Sequence, residues 1–235
     1  MKLQTTRRIA AAAMAGAATL AIAGFTALGS IFEYPQILKN PVADILASYR
    51  ENQAAISGWF LALAVSAALL APVGILLGRM ASQRLRPWIT GVAIAAATVQ
   101  VIGLSRWVLL VPGISDDATV PELSANAHNT FEQLHFWLGT ILGETIGYAL
   151  TATFTVLVVV ALRGSVVPRV VGYLGYGAAA LIATGVLIPF GLSAASLTNF
   201  AGYIVWCIWL IAMAVVLWRS KAATPAARIL SSVRV

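Results

Sequence analysis

Long uncharged stretches alternate with short charged ones along the whole chain. Apolar runs cover residues 9–32, 54–78, 88–111 and 136–162, and a fifth covers 170–218. About 20 mostly apolar residues in a helix cross the ~30 Å hydrocarbon core of a bilayer. Each of the first four runs fits one crossing, and the fifth is too long for one. Within it, "IPFGLSAASLTNF" carries Pro189, Gly191 and three serine or threonine residues, the chemistry of a turn. Splitting there gives 170–188 and 197–218, for six spans in all. Pro72, inside the second run, has no N–H to donate and crowds the preceding turn, so it predicts a kink.

Composition agrees with this pattern. Of 235 residues, 60% are hydrophobic and 10% are charged, against roughly 25% charged in soluble domains. The expected class is an all-α, polytopic membrane helix bundle forming a single domain. Cys207 is the only cysteine, which excludes an internal disulfide and a CxxC redox pair. A signal-peptide core runs about 7–15 residues; the first run is longer and reads as an uncut first span.

The charges predict the orientation. Of the fifteen Lys and Arg residues, only Lys39, Arg50 and Arg106 lie outside Met1–Arg8, the connection after span two, the connection after span four, and the tail from Arg219 onward. Basic residues concentrate on the cytoplasmic side, so both termini are expected there, in a plasma membrane. The net charge of +7 then reads as a topology signal and a contact for anionic lipid heads. No basic stripe with interleaved aromatics occurs, so nucleic acid is not an expected partner. Seven of the eight acids fall in the outer connections or at their edges; Glu144 lies inside span four.

Counted at 100° per residue, Gln133, Trp137, Thr140, Tyr148, Thr151 and Thr155 fall within about 40° of Glu144. A polar stripe on a membrane helix faces the bundle interior or a wet cavity, because lipid offers it no hydrogen bonds. Gly139, Gly143 and Gly147 form a ridge open to close approach by another backbone, and Ala- and Gly-rich span one is the expected partner. A buried carboxylate is neutral or paired. Side chains lean toward a helix's N-terminus, so Arg106 on span three and Glu144 on span four lean toward each other. A contact between them, direct or through water, is expected, with Glu33 as a second partner. The expected polar cluster is Glu144, Arg106, Gln133, Tyr148, Thr140 and Glu33.

His128, Glu132 and His135 share a helix face roughly opposite Glu144 and carry ordinary zinc-ligand chemistry. The two histidines stand ~10 Å apart along the axis, so two of the three can share one ion and all three cannot easily. The competing reading is interface histidines bonded to loop carbonyls. No other cofactor is expected. GxSxG, a Cys–His pair and a phosphate-cradling glycine loop are all missing, which leaves the enzyme question open.

The stretch "LHFWLGTILGETIGYALTATFTVLVVVALRGSVVPRVVGYLGYGAAALIATGV" and the "GSIFEYPQIL" exit from span one resemble a family of bacterial multi-pass proteins known as a domain of unknown function. The resemblance implies a six-helix inner-membrane protein and brings no activity with it. Three functions fit these residues. The leading one is binding of a small or lipophilic ligand between helices. The others are a membrane-embedded enzyme using Glu144 and Arg106 or a His/Glu metal site, and a proton-coupled transporter. Membrane lipids and a membrane partner subunit are the expected partners.

Overall fold

The structure, a computed structural model, describes residues 3–220. Lys2, Lys221, Arg228 and Arg234, which entered the orientation argument, lie outside the described residues. Six helices are long and apolar enough to cross a membrane: Leu3–Ile31, Gln53–Gly78, Arg86–Asp117, Pro121–Leu162, Arg169–Phe190 and Ala194–Arg219, here spans one to six. Each packs on its neighbours in sequence, and span six returns to pack on span one, closing a ring. Without water inside a bilayer, backbone groups must be satisfied within each helix; among the described residues there is no β-strand.

Small residues set the helix spacing. Gly74 in span two lies against Ala93 and the Ile89 carbonyl of span three. Ser66 Oγ donates to the Ala17 carbonyl of span one at 2.8 Å. The centre of the bundle toward its basic end is filled by Met14, Leu77, Phe154, Trp209 and Met213.

The helices are longer than the apolar runs that identified them. Span four begins at Pro121 rather than at 136, and span three continues to Asp117. These polar extensions, with a short helix Val42–Glu51 and the turn Gln36–Lys39, cap one end of the bundle. Beneath the cap, Phe32, Tyr49, Phe60, Trp107 and Phe131 form a second core. Tyr49 locks the cap down: its hydroxyl pairs with Ser57 Oγ at 2.6 Å and donates to the Trp107 carbonyl at 3.0 Å. Tyr49 lies outside the spans, and its pKa is raised, first by burial; Asp116 adds to the shift and the Ser57 hydrogen bond opposes it.

Pro72 interrupts span two at Leu69, three residues upstream, where its ring would crowd the preceding turn. Between spans five and six the reversal is tighter than the serine-rich sequence implies. Gly191, at φ +80°, completes the turn, and span six is already helical by Ala194 rather than 197. Thr198 Oγ1 bonds the Ala194 carbonyl at 3.1 Å and pairs with Thr184 Oγ1 across the reversal at 2.7 Å, so this hydroxyl ties span six back to the end of span five.

Span four carries the largest local departure. Residues His135–Ile146 form a π-helix between α-helical segments Pro121–Leu134 and Gly147–Leu162. Its i→i+5 ladder turns each residue through less than the ~100° of an α-helix. Thr145 Oγ1 donates to the Thr140 carbonyl five residues back, at 2.8 Å.

Candidate functional site

Spans three and four meet in register. A Cβ on Gly139 would stand 2.7 Å from Arg106 Nη2, one on Gly143 3.1 Å from Gly103 Cα, and one on Gly147 3.0 Å from Gln100 Cγ. Arg106, Gly103 and Gln100 recur every three residues and so form one oblique ridge along span three. The glycine ridge therefore packs on span three, not on span one, whose small residues pack against spans two and six. The bare ridge leaves room for the Arg106 side chain to lie across Gly139.

Arg106 is 4% exposed. Its Nη1 donates to the Gly103 carbonyl, and its Nη2 lies 3.4 Å from His135 Nδ1. The guanidinium carbon stands 5.4 Å from the centroid of the Trp107 ring. Arg106 Nε is buried and has no hydrogen-bond partner among the described residues. His135 in turn stacks on Phe131, with centroids 6.0 Å apart.

Glu144 is half-buried on the inward side of the π segment. The direct contact expected with Arg106 is not made, because the guanidinium curls back onto Gly103 and His135. The two side chains lie within electrostatic reach of each other, and Glu144 also lies within reach of Tyr34, Tyr148 and Tyr203. Tyr34 sits just past span one, and its hydroxyl is held above the ordinary tyrosine range. Desolvation is the main cause; Glu144 adds to it and Arg106 opposes it. The Tyr148 and Tyr203 rings meet edge to face with centroids 5.6 Å apart.

Inward of Glu144 the polar stripe continues as hydrogen bonds. Gln100 Nε2 donates to Thr151 Oγ1 at 2.7 Å. Thr155 Oγ1 donates to the Thr151 carbonyl and receives Trp206 Nε1 at 2.9 Å. Thr151 and Thr155 are fully buried, and beyond them lie Val158, Val159 and Leu162 of the apolar core.

The structure brings together only part of the expected cluster. Glu144, Arg106 and Tyr148 share one electrostatic neighbourhood. Gln133 and Trp137 are exposed, and Thr140 is half-buried with its carbonyl turned to Thr145. An α-helical count overestimates the rotation across the π segment, so the outer part of the predicted stripe swings off the Glu144 face. The same rotation carries His135 to Arg106, although the α count placed it opposite Glu144. Glu33 is exposed: the backbone takes φ +51° there, an uncommon value for a residue with a side chain. The chain turns at that point, and Tyr34 enters the cluster instead. His128, Glu132 and His135 do not gather: among the described residues no three His, Cys, Asp or Glu groups could hold a metal ion together.

Six apolar helices around a polar cluster define a multi-pass α-helical membrane protein. Within that class the chain belongs to the family described as Domain of unknown function (DUF4386), which matches residues 9–214. No curated protein and no solved structure matches the chain.

Proposed function

We propose that the protein binds a small, partly polar ligand at the Glu144 cluster, presenting a hydrogen-bond acceptor to Arg106 and a donor to Glu144. The observation that carries this reading is the Arg106 Nε, without a hydrogen-bond partner among the described residues, on a residue only 4% exposed. A buried donor without a partner costs about 1–3 kcal/mol, more for a charged group, so a site that keeps one has a use for it. The surrounding groups, Tyr34, Tyr148 and Tyr203, supply hydroxyls that can donate or accept and apolar ring faces.

The depth of the site fits a ligand arriving from the capped side. At 1.5 Å per residue, Arg106 lies ~30 Å along span three from Arg86, and Glu144 ~27 Å along span four from Leu162. A ~30 Å hydrocarbon core measured from the basic end closes near both residues. The basic end is the cytoplasmic one by the distribution of arginines, and a bacterial inner membrane is the host membrane. Inward of the cluster, among the described residues, the hydrogen-bonded stripe of span four ends at Thr155 and Trp206, which favours a closed binding site over a proton path through the membrane.

The test is mass spectrometry of small molecules extracted from purified wild type, Glu144→Gln and Arg106→Met proteins. A species carried by wild type and reduced at least several-fold in both variants is the expected result. Equal carriage by all three proteins, or none by wild type, overturns the proposal.

A further inference from the structure

Spans one and six form a lipid-facing groove at the basic end, far from Glu144. It has a volume of about 400 Å³, and its lining includes Ala12, Ala15, Ile211, Val215, Trp218 and Arg219. That is within the ~300–1,000 Å³ typical of small-molecule sites. Ala12 and Ala15 follow Arg8 at helical spacing, so all three lie on one face. The Arg8 guanidinium stands 5.6 Å from the Trp218 ring centroid. The exposed Arg8 and Arg219 thus flank the membrane-edge mouth, while the remaining lining below Trp218 is alkyl.

Charge decides the occupant. No Asp or Glu occurs before Glu33 or after Glu144 in the sequence. No carboxylate from either helix can therefore neutralise these arginines. We propose that this groove binds an anionic phospholipid, with the headgroup phosphate between Arg8 and Arg219 and an acyl chain along the alanines. Arginine suits the role because its fork meets phosphate oxygens in pairs. The small side chains admit a chain between two helices that pack against each other. Trp218, at the end of span six, occupies the position where amphipathic rings favour the interface.

The experiment is native mass spectrometry of the full chain in detergent, titrated with phosphatidylglycerol or phosphatidylcholine. Wild type is expected to retain phosphatidylglycerol preferentially. Arg8→Gln and Arg219→Gln are each expected to weaken retention about fivefold, the effect of one basic residue at a lipid surface. Ala12→Trp, at an exposed position, fills the groove without touching the core and is expected to lower retention while leaving both arginines in place. Arg79→Gln with Arg84→Gln removes two charges elsewhere at the same end and is expected to change little. Equal losses in that control pair would show diffuse surface charge and overturn the site, as would undiminished binding in Ala12→Trp. Equal retention of phosphatidylcholine overturns it too. So does inorganic phosphate competing at lipid concentrations, since the alkyl groove would then contribute nothing.

Discussion

Gly103 and Gly143 place the backbones of spans three and four in direct contact: a Cβ on Gly103 would stand 2.8 Å from the Gly143 Cα and 2.8 Å from the Leu138 carbonyl. Backbone on both sides cannot move aside as a flexible side chain can. Gly103→Ala is therefore expected to destabilise the bundle by about 1–3 kcal/mol, measured by unfolding in mixed micelles. Gly91, on the same helix with nothing within 4 Å, is the control, and Gly91→Ala is expected to be neutral or stabilising by helix propensity. Equal effects of the two substitutions would contradict the close approach.

The Arg106–Glu144 relationship is expected to appear as coupling rather than as a bond. Arg106→Met leaves Glu144 without its nearest opposite charge, and Glu144→Gln removes the need for one. A double-mutant cycle should return a coupling of about 0.5–3 kcal/mol, with the double variant less destabilised than the sum of the singles. Strict additivity would show that the two charges ignore each other.

Tyr49 joins the cap helix to span three through one hydroxyl with two partners. Tyr49→Phe keeps the ring in the aromatic core and deletes both bonds, at an expected cost of about 1 kcal/mol. Hydrogen exchange should rise in residues 42–51 and change little in span six. Uniform protection loss across the molecule would argue against a local lock.

Tyr34 and Tyr49 hold their protons above the usual tyrosine pKa of ~10. The unfolded chain gives up these protons first as pH rises. The stability that they contribute is complete below about pH 10 and falls as pH climbs toward the folded values. Absorbance titration of Tyr34→Phe and Tyr49→Phe should each lose part of the late phase only. In Glu144→Gln, the Tyr34 step should move down while staying above the ordinary range, because desolvation outweighs the carboxylate. An unmoved Tyr34 step would remove Glu144 from its surroundings.

The six crossings are legible in the sequence because an apolar run of about 20 residues has few other uses. Pro72 marks its own helix break for a similarly local reason. The site is less legible. Glu144, Arg106 and Tyr148 are visible as polar groups in apolar runs, but their angular relation depends on the π segment, which a 3.6-residue count does not foresee. Tyr34 and Tyr203 come from the end of span one and from span six, so only the folded ring brings them to Glu144. The φ +51° at Glu33 sends the carboxylate outward and its neighbour inward, a reversal no hydropathy pattern carries. The Gly139, Gly143 and Gly147 ridge is plain in the sequence, but its partner is not: several helices offer small residues, and the packing order selects Gln100, Gly103 and Arg106.

Because span six closes against span one, chain order and spatial order coincide all the way around the bundle. No neighbouring pair depends on where the polypeptide is cut. A linker from the end of span six to the start of span one, with new ends opened beside Gly164 in the exposed turn before span five, would preserve every interhelical seam. Such a rewired chain would separate what the assembled bundle requires from what sequential membrane insertion requires.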